Sequence, residues 1–304
     1  MSSGNTEKTV GMLGLGIMGT AMSANLLAAG FKVFGFDVSA ERLAAFTAQG
    51  GTACASAREV AEAVEVMVSV LPSVAALDAV VSGPEGILSA GLPGRILVES
   101  STLPLEDKLR VRAAAGALLT LLDCPLSGTG AQAVHKDLLV YASGEAEAIG
   151  RCTAIFDGFA RATHQLGEFG NGSKMKFVAN LLVSIHNVAA AEAFVLGMKA
   201  GLDPEAIYRV VGDGAGGSRM FTVRGPLMIA DDYEPATIKV ETWQKDMKII
   251  AEFATSLDCP TPLLSACAPV YSAAMAQGFG AQDTAAVCAV LADAARLVRK
   301  TAQA

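Results

Sequence analysis

The stretch "TVGMLGLGIMGTAMSANLLAAG", residues 9–30, decides the fold. An apolar run of strand length enters Gly14-Leu15-Gly16-Ile17-Met18-Gly19, and an alanine- and leucine-rich helical pattern follows. In such a turn the first glycine permits the tight bend and the second lets backbone approach a pyrophosphate. The third lets helix and strand pack closely, and the helix N-terminus faces the anion. Glycine-rich turns are common, so GxGxxG alone is a weak signal. Here the strand before, the helix after and an acidic residue closing the next strand agree. That residue is Asp37 in "FGFDVS", 18 positions beyond Gly19, where a carboxylate holds a ribose 2′-hydroxyl. A carboxylate repels a 2′-phosphate, and the nearest arginine, Arg42, lies inside the next helical pattern. NAD is therefore expected in preference to NADP.

Working outward, residues 8–145 alternate apolar strands with helical patterns. The strand candidates are 8–14, 32–37, 66–72, 95–100, 118–125 and 137–143, with helices at 17–29 and 40–49 among those between them. Repeated strand–helix–strand units with near-continuous apolar strands predict a largely parallel, doubly wound sheet. Beyond about residue 172 the strands stop, and 173–200, 203–212, 241–257, 261–277 and 282–300 read as helices. Asp203-Pro204 suits a helix start, the aspartate as cap and the proline in the first turn. "GDGAGGSR" (212–219) reads as a loop between helices. The expected fold class is α/β: a Rossmann-type domain over 1–170, then an all-helical domain over 171–304 that opens with a long interdomain helix.

Composition narrows the function. Hydrophobic residues make up 52% of 304, and the mean hydropathy is +0.44. A subunit interface is the economical place for that surplus, so a homodimer or homotetramer is expected. The most apolar run, 181–202, carries His186, Asn187 and Glu192 inside it, whereas a spanning helix needs about 20 nearly uninterrupted apolar residues. It reads as a buried helix, with no membrane partner. The N-terminal "MSSGNTEKTV" shows no leader pattern, and six cysteines lack CxxC spacing. Reduced thiols in a cytoplasmic protein are the expectation. A net charge of −7 without a basic block argues against nucleic acid. Three histidines without metal-like neighbours argue against a metal site.

"GNGSKMKFVAN" (170–180) holds two lysines at the expected domain boundary. At 100° per residue, Lys176 and Asn180 lie about 40° apart, Asn187 lies about 20° from Lys176, and Lys174 points about 200° away. Lys176, Asn180 and Asn187 thus form a polar stripe on an apolar helix. By spacing alone it reads as a solvated edge, but its position puts it where a cleft between domains is expected.

The chain resembles the β-hydroxyacid dehydrogenase family, which includes 3-hydroxyisobutyrate dehydrogenase and tartronate semialdehyde reductase. The match runs in family order through "GLGIMG" (14–19), "LP" (71–72), "SST" (100–102), "DCPLSGTGA" (123–131), "GNGSKMKFVAN" and "KD" (245–246). The resemblance implies hydride transfer between NAD and a small 3-hydroxy acid, or reduction of the matching semialdehyde. It makes Lys176 the catalytic acid/base, with Asn180 beside it holding the substrate hydroxyl or orienting the lysine. Ser127, Gly128 and Thr129 would bind the substrate carboxylate through backbone N–H groups and hydroxyls. Gly14, Leu15, Gly16, Ile17, Met18, Gly19, Asp37, Leu71, Pro72, Thr102 and Lys245 would line the cofactor.

The chemistry is coherent by itself. Oxidising an alcohol needs a base for the hydroxyl proton while hydride leaves, and a lysine serves only if its pKa falls from ~10.4 towards ~7–8. Two positions depart from the family pattern: Thr129 stands where a second glycine is usual, and Lys136 also replaces a common glycine. An added hydroxyl and cation suggest a more polar substrate, polyhydroxylated or doubly acidic. The alternatives are an NADPH-dependent semialdehyde reductase of the same family and a non-catalytic dinucleotide-binding protein.

Overall fold

The computed structural model describes residues 8–299. The polar N-terminal segment before Lys8, and the end of the helix expected to reach residue 300, lie outside the described residues. Two compact units divide between Lys176 and Phe177, a little beyond the expected 170/171 division.

The first unit is built on β1 (Thr9–Leu13), β2 (Lys32–Phe36), β3 (Thr52–Ala53), β4 (Val66–Ser69), β5 (Arg95–Glu99) and β6 (Leu119–Asp123). They form one parallel sheet in the order β3-β2-β1-β4-β5-β6. The strands read as continuous apolar runs because both faces are covered. From β1, β4 and β5, the side chains of Val10, Met12, Val66, Val68, Ile96 and Val98 enter one core cluster, while Leu13, Met67 and Leu97 enter another on the opposite face. Each such burial contributes about 1.5–3 kcal/mol. The helices are α1 (Ile17–Ala28), α2 (Ala40–Ala48), α3 (Ala57–Ala63), α4 (Val74–Ser82) and α5 (Leu105–Ala115). Serines 39, 56 and 73 cap α2, α3 and α4 through their side chains. Helix α1 instead starts on Gly16, which has no side chain with which to cap.

The strand order reverses between β1 and β4. In open parallel sheets the crevice beyond the strand ends at that point is where ligands bind. Gly14 follows β1 there, and Val70 follows β4.

One strand expectation is corrected. The 137–143 segment gives β8 (Leu139–Ala142), which lies outside the six-stranded sheet. It pairs antiparallel with β7 (Leu126–Ser127) and parallel with β9 (Ala162–Gln165). Between β6 and β8 the chain holds β7 and the five-residue α6 (Gly130–Val134), too little helix for a crossover back into the parallel sheet. A single bridge, Asp123 to Ser143, links the two sheets. Helix α7 (Ala146–Phe159) covers the small sheet.

The second unit is helical: α8 (Asn171–Lys199, whose first turn and a half belongs to the first unit), α9 (Pro204–Asp213), α10 (Arg219–Ala230), α11 (Val240–Ser256), α12 (Pro262–Ala276) and α13 (Val287–Ala294). Helix α10 is additional to the expectation, because Gly225-Pro226 in its interior reads as a breaker. The structure accommodates both residues. Pro226 cannot donate to the Thr222 carbonyl, which instead accepts from the Tyr208 hydroxyl at 2.9 Å. A Cβ on Gly225 would stand 2.5 Å from the same tyrosine ring. The helix expected over 282–300 is shorter: a 3-10 turn at Thr284–Ala286 leads into α13.

Helix α8 is long and apolar enough to cross a membrane by length and composition. Three of its interior polar side chains nonetheless bond within the helical unit. Asn180 donates to Asp246, Ser184 accepts from Trp243 Nε1, and Asn187 donates to the Tyr271 hydroxyl and the Thr284 carbonyl. Helix α8 is the core helix of its unit.

Candidate active site

The glycine turn after β1 has three positions with three different constraints. Gly14 sits at φ +95°, and a Cβ there would lie 2.3 Å from the Val70 carbonyl oxygen. A Cβ on Gly19 would lie 2.0 Å from the Gly14 carbonyl oxygen, so strand and helix pack without a side chain between them. At Gly16 a Cβ would meet nothing within 4 Å. The fold does not need glycine at 16, and the space in front of it is open. This opening lies at the uncapped N-terminus of α1, where backbone N–H groups and the helix dipole favour an anion. Leu15 is buried packing, while Ile17 is exposed at the helix start and Met18 packs partly into the core.

Asp37 closes β2 and is buried. Its Oδ2 accepts the Leu15 N–H at 2.7 Å and its Oδ1 accepts the Ser39 N–H at 2.8 Å. The carboxylate thereby ties the end of the second strand to the glycine turn, fixing its own orientation. The half-exposed guanidinium of Arg42 lies 3.5 Å from Oδ2. A concavity of about 540 Å³ borders Leu15, Gly16, Ile17, Thr20 and Arg42 among others. An open approach at Gly16, an uncapped helix start and a buried strand-end carboxylate fit a dinucleotide. At the end of β4, the Leu71 N–H donates to Ser101 Oγ at 2.8 Å, and Pro72 is exposed beside it. Thr102, after β5, is half-buried.

Ser127 ends β7 and leads into Gly128, at φ +141°, and Thr129. Thr129 caps α6: its N–H donates to Gln132 Oε1 at 3.0 Å and its Oγ1 accepts the Gln132 N–H. This alters the expectation for Thr129. Its N–H and one lone pair of its hydroxyl oxygen are engaged in a capping box, which leaves the hydroxyl hydrogen as the group it can offer a substrate. Lys136 is exposed at φ +57°, just after that helix. The Ser-Gly turn and the glycine fingerprint are neighbours within the first unit. A Cβ on Gly130 would lie 2.5 Å from Ile17 Cγ2, and Asn25 Nδ2 donates to the Ala133 carbonyl at 2.7 Å.

The start of α8 explains the glycines of "GNGSKMKFVAN". Gly170 adopts φ +96°. A Cβ on Gly172 would stand 2.4 Å from the Tyr141 carbonyl and 2.5 Å from the Asp123 carbonyl, so the first helical turn presses directly on two strands. Lys174 is exposed and lies 3.2 Å from Asn171 Oδ1, whereas Lys176 is half-buried. Asn180 is buried, and its Nδ2 donates to Asp246 Oδ2 at 3.0 Å. Asp246 Oδ1 lies 3.0 Å from Lys245 Nζ. Asp246 therefore braces Asn180.

The sequence did not draw attention to a charged group under this turn. Glu99 and Asp123 are register partners ending β5 and β6, and Lys108 on α5 reaches both, at 2.6 and 2.9 Å. All three side chains are fully buried. Burial by itself lowers the lysine pKa, but Asp123 and Glu99 outweigh it and hold the ammonium above the ordinary lysine range. The available signal was a carboxylate directly after each of two buried apolar runs, "RILVES" and "LLTLLDCP". Among the described residues, no group of three or more His, Cys, Asp or Glu side chains is placed to hold a metal ion.

A parallel sheet with this strand order, a glycine fingerprint and a strand-end carboxylate define a dinucleotide-binding protein. Residues 9–167 match the NAD-binding domain of 6-phosphogluconate dehydrogenase, and residues 170–291 match the second domain family, described as NAD-binding of NADP-dependent 3-hydroxyisobutyrate dehydrogenase. An L-threonate dehydrogenase of Cupriavidus necator is 34% identical over 92% of this chain and 95% of its own. A 2-(hydroxymethyl)glutarate dehydrogenase of Eubacterium barkeri is 29% identical over 92% and 94%. A solved 3-hydroxyisobutyrate dehydrogenase from Salmonella typhimurium superposes with a TM-score of 0.84, at 33% identity, covering 93% of this chain and all of that one. The chain belongs to the β-hydroxyacid dehydrogenase family and is an oxidoreductase of small hydroxy acids or the corresponding semialdehydes, with NAD as cofactor.

Proposed function

We propose that this enzyme oxidises a small hydroxy acid bearing further polar groups, with Lys176 as general acid/base and a preference for NAD over NADP. The observation that carries the proposal is the built start of α8, where Gly170 turns the chain at φ +96°, Gly172 seats the first turn against β6 and β8, and Lys176 follows, half-buried. The bound nicotinamide supplies the hydride acceptor. Lys176 takes the hydroxyl proton in oxidation and returns it in carbonyl reduction, which requires a neutral amine in part of the population. Asn180, one turn past Lys176 on the same helix and held by Asp246, would orient the reacting end; Lys245 is paired with that aspartate. Ser127 and Gly128 hold the substrate carboxylate; Thr129 sets the turn that presents them. Gly16 would admit the pyrophosphate at the start of α1, in the turn that Gly14 and Gly19 allow to form; Asp37 would hold the ribose, and Leu71, Pro72 and Thr102 would border the nicotinamide.

Support for a polar substrate now rests on Lys136 and on the relatives, since Thr129 is accounted for as a cap. One relative acts on a trihydroxylated acid, L-threonate, and another on a dicarboxylic hydroxy acid, 2-(hydroxymethyl)glutarate. Asp37 supports NAD, and pairing of Arg42 with that carboxylate draws the nearest guanidinium away from service to a 2′-phosphate. We further propose a homo-oligomer. Met175, Val178, Leu182 and Leu196 are exposed on one face of α8, a stripe that a second copy would cover. With five of six free cysteines buried and the sixth exposed, a reducing cytoplasmic setting suits the protein.

The test is reduction of NAD and of NADP by the purified protein with threonate, 3-hydroxyisobutyrate and dicarboxylic hydroxy acids, beside Lys176→Ala. Turnover with NAD on a polyhydroxylated or dicarboxylic acid, lost by about 10²-fold or more in the variant, is expected. Full activity in Lys176→Ala overturns the assignment of the base, and preference for 3-hydroxyisobutyrate overturns the substrate class.

A further inference from the structure

We propose that Asp123, held by Lys108, whose ammonium Glu99 also pairs, and linked through Ser173, is a positioning residue that fixes the first turn of α8 and thereby aims Lys176. The inference rests on Lys176 being the acid/base. Its basis is that the N-terminal backbone of this helix is tied to the strands of the first unit. Ser173 N–H donates to Asp123 Oδ2 at 2.7 Å, and Ser173 Oγ donates to Asp123 Oδ1 at 2.7 Å. Gly172 N–H donates to Ser143 Oγ at 2.9 Å, and that hydroxyl donates to the Asp123 carbonyl at 2.9 Å. Two N–H groups that have no partner within a helix are therefore satisfied from β6 and the end of β8. The negative carboxylate also suits the positive end of the helix dipole.

Asp123 is in turn immobilised. Lys108 Nζ contacts its Oδ1 and Glu99 Oε2, and donates to the Ser101 carbonyl at 2.7 Å. Glu99 Oε1 accepts the Ser101 N–H at 2.9 Å, so the carboxylates at the ends of two adjacent strands are locked by one ammonium. Three fully buried charges are a poor device for stability alone, since apolar side chains of similar volume serve as well. What they supply is direction. Lys176 lies three residues past Ser173, a rise of about 4.5 Å and less than one turn. A small rotation of the first turn thus moves the amine of a long side chain by an ångström or so, and displacement on that scale lowers rate by about 10²-fold.

The experiment is a double-mutant cycle on the full chain: Ser173→Ala, Lys176→Ala and the pair, with Ser173→Thr as the conservative control. Ser173→Ala keeps the backbone bond to Asp123 and removes only the hydroxyl, so folding is retained. We expect kcat to fall by about tenfold, with KM and NAD affinity within about twofold, and Ser173→Thr to restore most of it. In the Lys176→Ala background, Ser173→Ala should have no further effect on the residual rate, because the serine acts through the lysine. Additive losses in the pair, unchanged kcat in Ser173→Ala, or equal losses in kcat and cofactor affinity overturn the positioning role while leaving Lys176 as base. Wild-type activity in Lys176→Ala overturns both assignments, so the two failures are distinguishable.

Discussion

Gly16→Ala and Gly19→Ala separate cofactor binding from folding at one turn. The two glycines are three residues apart and look equivalent in the fingerprint, yet the structure gives them opposite surroundings. At Gly16 the backbone is at φ −69°, which any residue adopts, and an added Cβ meets nothing within 4 Å. Replacing glycine by alanine there narrows the unfolded ensemble, a gain of about 0.4–1 kcal/mol. Alanine is the poorer N-cap, a loss of about 0.5 kcal/mol or somewhat more. The two effects offset, so the apo protein should melt within about 2 °C of the parent. At Gly19 the Cβ falls 2.0 Å from the Gly14 carbonyl oxygen. Backbone must move, at about 1–3 kcal/mol, and a domain of this size then melts about 3–10 °C lower. Cofactor affinity reverses the ranking for Gly16→Ala. A methyl standing before the helix N-terminus removes at least one hydrogen bond to a charged group, about 1.5–3 kcal/mol, or about 10- to 150-fold in Kd. Circular dichroism melts of the apo variants and calorimetric titration with NAD decide the matter. A Gly16→Ala protein that melts more than about 5 °C lower, or that binds NAD within about twofold of the parent, refutes the claim that this glycine serves the ligand and not the fold.

Three further outcomes are expected. Asp37→Asn leaves one oxygen where two backbone N–H groups, of Leu15 and Ser39, now find acceptors; the unfolding free energy should fall by about 1–3 kcal/mol, and the preference for NAD over NADP by about tenfold, read from denaturant melts and from kcat/KM with both cofactors. Leu182→Glu on the exposed face of α8 should shift the sedimenting species to monomer at micromolar concentration, and an unchanged sedimentation coefficient would remove that face from the interface. Of the six cysteines only Cys259 is exposed, and burial pushes the Cys54 and Cys152 thiols up to about 11 and about 12. A raised thiol pKa keeps the unreactive protonated form to higher pH, so native protein should titrate about one thiol with a chromogenic disulfide at pH 7 and still about one at pH 9. Two or more fast thiols would contradict the packing described for the core.

The parallel sheet was legible because its strands bury both faces, which leaves unbroken apolar runs such as "VMVS" and "RILVE". Asp203-Pro204 marked the start of α9, where the aspartate side chain accepts the Ala206 N–H. The elements that escaped have no such local mark. Strand β3 is two residues long and β9 reads "ATHQ", so their pairing comes from β2 and β8 and not from their own side chains. Helix α10 contains a proline whose lost hydrogen bond is compensated by a tyrosine from α9, a partner 14 residues away. β8 was found but assigned to the wrong sheet, since an apolar run shows that a strand is buried without showing which neighbour it pairs with.

The site shows the same limit more sharply. Helical phase put Lys176, Asn180 and Asn187 on one stripe and pointed Lys174 away, and Lys174 is indeed the exposed lysine of the two. Phase gives only a direction around the axis. What each polar group meets in that direction is set by residues 66 to 97 positions away: Asp246 for Asn180, and Tyr271 with Thr284 for Asn187. Asn187 is consumed by the core of the helical unit, although along the helix it falls nearer in phase to Lys176 than Asn180 does. The charges beneath α8 were hidden for the opposite reason. Glu99, Lys108 and Asp123 lie on three different elements, and only the register of β5 on β6 makes the two carboxylates neighbours that one lysine from α5 can hold. The lysine proposed as acid/base is legible as a motif because its glycines are local in sequence. The group proposed to aim it is assembled by the sheet, and a sheet is what a linear pattern leaves unassembled.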